Sequence, residues 1–238
     1  MSLQRHILNL SLRLFEKPYL AREDDPMVLR RGFEAKARFW FRPPKGTRFC
    51  WGELAGLPVL WVEPDAVASE AVLLYFHGGG YVFGSPDTHK SMLAQLAALT
   101  GLRVCMPRYR LAPEHPFPAA FADACSVYAA LLENGLASDR ILLGGDSAGG
   151  GLALALLADI CCRNAPGPAG AFAFSPLTDL TFSGASFQIN ARADVLLPSN
   201  RDRDLVRHYL RDADARDPRA SPSAATGSGR SAPCVGLR

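Results

Sequence analysis

The chain has 238 residues, enough for one α/β domain with a sizeable core. Its 48% apolar content is ordinary for a globular protein, and the net charge of +3 is spread over interleaved Lys, Arg, Asp and Glu. No basic stripe carries interleaved aromatics, which argues against nucleic acid as a partner. The six cysteines (Cys50, Cys105, Cys125, Cys161, Cys162 and Cys234) form no C-x-x-C pair, and most sit in apolar runs. Buried free thiols in a reducing cytoplasm are the expectation. Charged residues interrupt the leucines of Met1–Leu20, so no secretory signal is read, and no stretch approaches a membrane span.

Leu3, Ile7, Leu10, Leu14 and Phe15 fit a short amphipathic helix, and a second helix is expected from about Met27 to Phe39. The two read as a cap over a site or as helices packed on the domain edge. Pro43-Pro44-Lys45-Gly46 breaks the pattern, and strands follow at Arg48–Leu54 and Leu57–Val62 around a tight Ala55-Gly56 turn. The continuous apolar run Ala71–Phe76 suits a central parallel strand covered on both faces. Ser85-Pro86-Asp87 caps a helix that runs to about Leu99 and stops at Thr100-Gly101. A strand at Leu102–Met106, a Pro-rich loop, a helix near Pro118–Leu132 and a strand at Arg140–Gly144 come next. Beyond lie a strand at Ala169–Phe174 and a helix at Arg201–Arg211. Strands alternating with helices predict a mostly parallel, doubly wound sheet.

The chain is organised around Gly144-Gly145-Asp146-Ser147-Ala148-Gly149-Gly150. A short apolar run precedes it, and a long run of small and apolar residues follows to Cys162. A serine thus stands at a strand-to-helix turn, with Gly145 and Gly149 where side chains would block the turn. This is the G-x-S-x-G nucleophile elbow, with a helix N-terminus aimed at the site. A Gly-Ser turn without chemistry is the plain alternative. About 70 residues upstream, His77-Gly78-Gly79-Gly80 follows a buried strand. Its glycines leave backbone N–H groups unobstructed, as an oxyanion requires. A flexible Gly loop is one alternative. A phosphate loop is another, but no Gly-Lys-Ser/Thr follows.

Four stretches resemble the hormone-sensitive-lipase-like esterases, the bacterial family IV of lipolytic α/β-hydrolases. They are His77-Gly78-Gly79-Gly80-Tyr81, the run Tyr109–Ala120, the elbow itself, and Ser175–Thr181. The resemblance covers about residue 20 to Pro222. It implies an eight-stranded α/β-hydrolase sheet, mostly parallel, with helices on both faces and an N-terminal helical cap. It implies a small carboxylester as substrate, leaning toward short acyl chains, and no metal or cofactor. Ser147 would be the nucleophile, and the N–H groups of Gly79, Gly80 and Ala148 would form the oxyanion hole. His77, Gly78, Gly145, Asp146 and Gly149 would support the two motifs, with His77 holding its loop. Arg108 stands where the family often has Asp, a tolerated variation.

The end of the chain departs from the pattern. The elbow serine needs an acid and then a histidine downstream. After Pro222 neither occurs, and Ser223–Arg238 is rich in Ser, Ala, Gly and Arg without strand periodicity. The only histidine beyond Ser147 is His208, on a charged helix and read as solvated. Asp179 reads as structural, Asp194 has no family role, and His115 lies among prolines. His6 and His89 have no supporting motif. The expected organisation is therefore a cap over 1–45, a core over 46–222 lacking its last strands, and a non-homologous, disordered tail over 223–238. The expected function is ester hydrolysis through an acyl-enzyme, impaired or absent in this chain through a lost frame or a truncation. A non-catalytic binding protein and a non-functional product are the alternatives.

Overall fold

The computed structural model describes residues 3–198 and 202–226. Six strands form one sheet: β1 (Arg48–Leu54), β2 (Leu57–Glu63), β3 (Val72–Phe76), β4 (Arg103–Pro107), β5 (Ile141–Asp146) and β6 (Gly170–Phe174), in the spatial order β1-β2-β4-β3-β5-β6. β1 and β2 form a hairpin, with both turn residues, Ala55 and Gly56, at positive φ. β2 pairs antiparallel with β4, and β4, β3, β5 and β6 run parallel. All six strands fall on the runs expected from sequence. The resemblance implies eight, and six are present among the described residues.

The helices are α1 (Leu3–Ser11), α2 (Lys17–Arg22), α3 (Pro26–Trp40), α4 (Pro86–Thr100), α5 (Ala119–Glu133), α6 (Ser147–Cys162), α7 (Ala185–Asn190) and α8 (Asp202–Leu210). A widened turn over Leu12–Glu16 joins α1 to α2. α4 begins as its Ser-Pro signal predicts: the Ser85 Oγ accepts from Thr88 N–H, the Thr88 Oγ1 accepts from Ser85 N–H, and Pro86 opens the first turn. Its left-handed stop is Gly101. α7 carried no signal strong enough to be read beforehand.

β3 shows why the sheet is covered on both sides. Val72, Leu74 and Phe76 pack toward Leu143, Leu152 and the α5–α6 layer, whereas Leu73 and Tyr75 pack toward Leu93, Ala94 and Ala97 of α4. All five β3 residues are buried. The N-terminal helices attach through α3, which packs on α4.

The first residues of the expected disordered tail depart from that expectation. Pro222–Thr226 forms a short 3₁₀ turn, and the Ser223 N–H and Oγ both donate to the Thr178 carbonyl, at 3.1 and 2.7 Å. The buried Ser221 adds to this tie: its Oγ accepts from Leu180 N–H and donates to the Ala215 carbonyl. Composition alone could not show these pairings across some forty residues. The rest of that tail, with Cys234, lies outside the described residues.

Candidate active site

Parallel register brings two chain segments to one edge of the sheet. Phe76 at the end of β3 pairs beside Gly145 of β5, so His77 and Ser147 leave neighbouring strands at their carboxyl ends. In open α/β sheets ligand sites form at that edge. Ser147 itself adopts φ 50°, a left-handed backbone that a serine holds only under constraint. The constraint is visible at the flanking glycines. A Cβ on Gly145 would strike the Gly149 carbonyl, and one on Gly149 would strike the carbonyls of Phe76 and His77. α6 can therefore press its first turn against the ends of β3 and β5. The Ser147 carbonyl is held by Leu177 N–H at 2.8 Å.

The glycine loop turns back on itself. Gly79 has φ +124°, and its carbonyl accepts from the N–H groups of Val82 and Phe83. Among the described residues, the N–H groups of Gly79 and Gly80 donate to no protein acceptor. Ala148 lies in the first turn of α6, where N–H groups have no partner within the helix.

Asp146 ties loop to elbow. Its Oδ1 accepts from Gly78 N–H and from the Tyr75 hydroxyl, both at 3.0 Å, and Oδ2 lies 3.4 Å from His89 Nε2. Burial pushes this carboxyl up, but the bonds from His89, Tyr75 and Gly78 more than offset it, and it lies below the usual range. The same burial and the adjacent carboxylate push the Tyr75 phenol well up. Gly78 is a glycine for a steric reason, since a Cβ there would overlap the Asp146 carboxylate.

His77 is buried and stacks on Tyr109, with ring centroids 4.3 Å apart. Its Nδ1 lies 2.9 Å from the Gly78 carbonyl, an acceptor, so Nδ1 carries the proton. Tyr109 donates its hydroxyl to the His77 carbonyl at 2.7 Å. Burial, followed by the neighbouring His89, brings the imidazole pKa down to about 3. His77 is therefore neutral near pH 7 and acts as a strut of the loop.

The remaining candidates are placed elsewhere. Among the described residues, no histidine hydrogen-bonds the Ser147 hydroxyl. His208 is half-buried on α8, where its neighbour Tyr209 stacks on Tyr81 at 3.9 Å. His115 is exposed and shares with Arg30, Glu34, His77 and Tyr109 a crevice of about 350 Å³. His6 is exposed on α1. Asp179 and Asp194 accept hydrogen bonds inside their own turns. Arg108 pairs with Asp87 of α4 at 2.9 Å and lies over the Trp51 ring. Sequence reasoning missed His89 and Tyr75: the one had no motif and the other lay inside an apolar run. No group of three metal-ligating side chains converges among the described residues.

A left-handed serine between strand and helix, beside a glycine loop on the adjoining strand, defines the class: an α/β-hydrolase. The chain matches the alpha/beta hydrolase fold family over residues 73–235. It is 42% identical over 163 residues to an acetyl-hydrolase of Streptomyces hygroscopicus, covering 68% of this chain and 54% of that protein. It is 34% identical over 222 residues to LipR, a putative acetyl-hydrolase of Mycobacterium tuberculosis, covering 93% of this chain and 71% of the relative. An esterase from the bacterial hormone-sensitive lipase family superposes with a TM-score of 0.86 at 34% identity, over 93% of this chain and 73% of that one. The chain belongs to this hormone-sensitive-lipase-like family IV of carboxylesterases. It spans about half the length of the Streptomyces relative.

Proposed function

We propose that this chain carries the acyl-transfer half of a serine carboxylesterase site. Ser147 is the nucleophile that attacks the ester carbonyl. The N–H groups of Gly79, Gly80 and Ala148 hold the negative oxygen; the ester C–O bond then breaks, the alcohol leaves with the proton that the serine gave up, and water releases the acyl group from the serine as the free acid. The observation that carries this reading is the strained Ser147 (φ 50°) beside two glycine N–H groups with no acceptor among the described residues. The names of two acetyl-hydrolase relatives favour small esters with short acyl chains. The chemistry calls on no metal or cofactor. A cytoplasmic setting is supported by five free thiols: Cys50, Cys105, Cys125, Cys161 and Cys162. No described helix is long and apolar enough to cross a membrane.

Turnover by these 238 residues is impaired. The residues after Ser147 supply a single histidine, His208, and none bonds the serine among the described residues. Loss of the base removes about six orders of magnitude in serine hydrolases. The oxyanion hole and binding retain roughly a thousandfold over water. The test compares p-nitrophenyl acetate hydrolysis by the purified chain and by Ser147→Ala. Rates within about tenfold of each other are expected. Family-like turnover lost in Ser147→Ala would overturn the impairment and uphold the nucleophile. A second reading, a binding protein that keeps the pocket, draws on the fully paired Asp146 frame, which holds the loop without any base. Calorimetric binding of a non-hydrolysable short-chain ester analogue by Ser147→Ala would favour it.

A further inference from the structure

Three successive residues of the glycine loop have positive φ: Gly79 (124°), Gly80 (61°) and Tyr81 (62°). Glycines adopt this backbone freely, but for a tyrosine it is an outlier that its surroundings must hold. Two anchors bracket it. Upstream, the Gly78 N–H is fixed on Asp146 Oδ1. Downstream, the Tyr81 carbonyl accepts from Ala112 N–H at 2.9 Å. The buried Tyr81 ring stacks on Tyr209 of α8, with centroids 3.9 Å apart and planes 9° from parallel. Relaxation of Tyr81 to negative φ turns its ring and carbonyl together about the N–Cα bond. With Gly78 held, that rotation breaks both the stack and the hydrogen bond to Ala112, so the two contacts oppose it.

Tyr209 is itself fixed. Its carbonyl accepts from Phe117 N–H at 2.7 Å, and the Phe117 ring meets its ring edge-on at 5.8 Å. The Arg219 guanidinium lies over Phe117 and is bound by Asp217. The Tyr209 hydroxyl is buried and has no hydrogen-bond partner among the described residues. A buried, unpaired hydroxyl costs stability, so the ring is what this position supplies. The far end of the Tyr81 side chain reaches α6, since a Cβ on Gly151 would lie 3.2 Å from its hydroxyl. The stacked pair thus joins α8 to the glycine loop and to the helix that Ser147 opens.

We propose that Tyr209 is a positioning residue for ester hydrolysis: its ring clamps Tyr81 in the left-handed conformation and so holds the loop that carries the Gly79 and Gly80 N–H groups. The proposal rests on the oxyanion reading of that loop. It assigns a role at the site to a helix that follows the elbow and supplies no group to the chemistry.

The test reads the loop and the residual rate separately. Val82 and Phe83 donate to the Gly79 carbonyl, so their amide exchange, followed by NMR, reports opening of the loop. Tyr209→Leu is expected to speed both amides at least about tenfold. It should lower residual kcat for p-nitrophenyl acetate by about tenfold with KM unchanged, because the oxyanion hole supplies that residual rate. Tyr209→Phe should match the parent in both readouts. Leu210→Ala removes the next buried side chain of α8 and keeps the stack, and it should leave the loop amides at the parent's rate. Loop exchange in folded Tyr209→Leu equal to the parent's, or acceleration by Leu210→Ala as large as by Tyr209→Leu, overturns the proposal. Should Tyr209→Leu not fold, the parent decides: in a series of low denaturant concentrations the two loop amides and those of α8 should open together, and loop opening that leaves α8 closed overturns the clamp. A parent no faster than buffer fails the catalytic reading, and the clamp then stands or falls on exchange alone.

Discussion

Asp179 accepts hydrogen bonds from the N–H and hydroxyl groups of both Thr181 and Ser183. Burial raises its carboxyl, but these four donors dominate and hold it at about 2, against an ordinary 3.8. A depressed carboxylate stabilises the fold at pH values above its unfolded pKa, and the contribution disappears as pH falls through the folded value. The thermal midpoint of Asp179→Asn is therefore expected to lie below the parent's at pH 6. The gap should close as pH falls from about 4 to about 2. A gap constant across that window would show that the donors do not favour the ionised form. Asp179 is a turn residue by this geometry, as the sequence suggested. The acid at the elbow was harder to read. Asp146 was visible only as a neighbour of Ser147. Its partners His89 and Tyr75 come from α4 and β3, and no spacing along the chain announces that the three meet. They meet because the sheet order sets β3 beside β5 and α4 lies on the Tyr75 face.

The same distinction between local and distant signals holds for elements. Strands with continuous apolar runs, and helices with Ser-Pro starts or Gly stops, were readable because their signals are local. How α3 is moored was not. The Arg30 guanidinium of α3 donates to the Val82 carbonyl at 2.8 Å, to the Ala112 carbonyl at 2.8 Å and to both carboxylate oxygens of Glu114. Val82 follows the glycine loop, and Ala112 and Glu114 belong to the Pro-rich loop. Phe33, one turn on, meets the Phe83 ring edge-on at 5.4 Å. One side chain thus joins α3 to two loops that border the candidate site. Arg30→Ala leaves two carbonyls and a carboxylate without their donor, at an expected cost of about 1–3 kcal/mol. Hydrogen exchange should accelerate through α3 more than through β3 or β5. Arg30→Lys should recover only part of the protection, because an ammonium cannot span three acceptors as the planar fork does. Unchanged exchange in α3 for Arg30→Ala would mean that apolar packing on α4 alone holds this helix.

At the scale of the whole molecule, the sheet has two unlike edges. The outer strand β1 carries Arg48 and Glu53 and is hard to pair with a neighbour. The opposite outer strand, β6, reads Gly-Ala-Phe-Ala-Phe, with no charge and no proline. Among the described residues no strand lies on its far side, and Ala171 and Phe174 are exposed. An apolar, uncharged edge is a template for strand addition, and it offers a second copy the same surface. Concentration-dependent association through β6 follows, at the far end of the sheet from the β1 hairpin. Ala171→Lys puts a charge on that edge at an exposed position, so it costs no core packing. It should lower light scattering severalfold at equal concentration while leaving the thermal midpoint unchanged. Scattering equal to the parent's would clear β6.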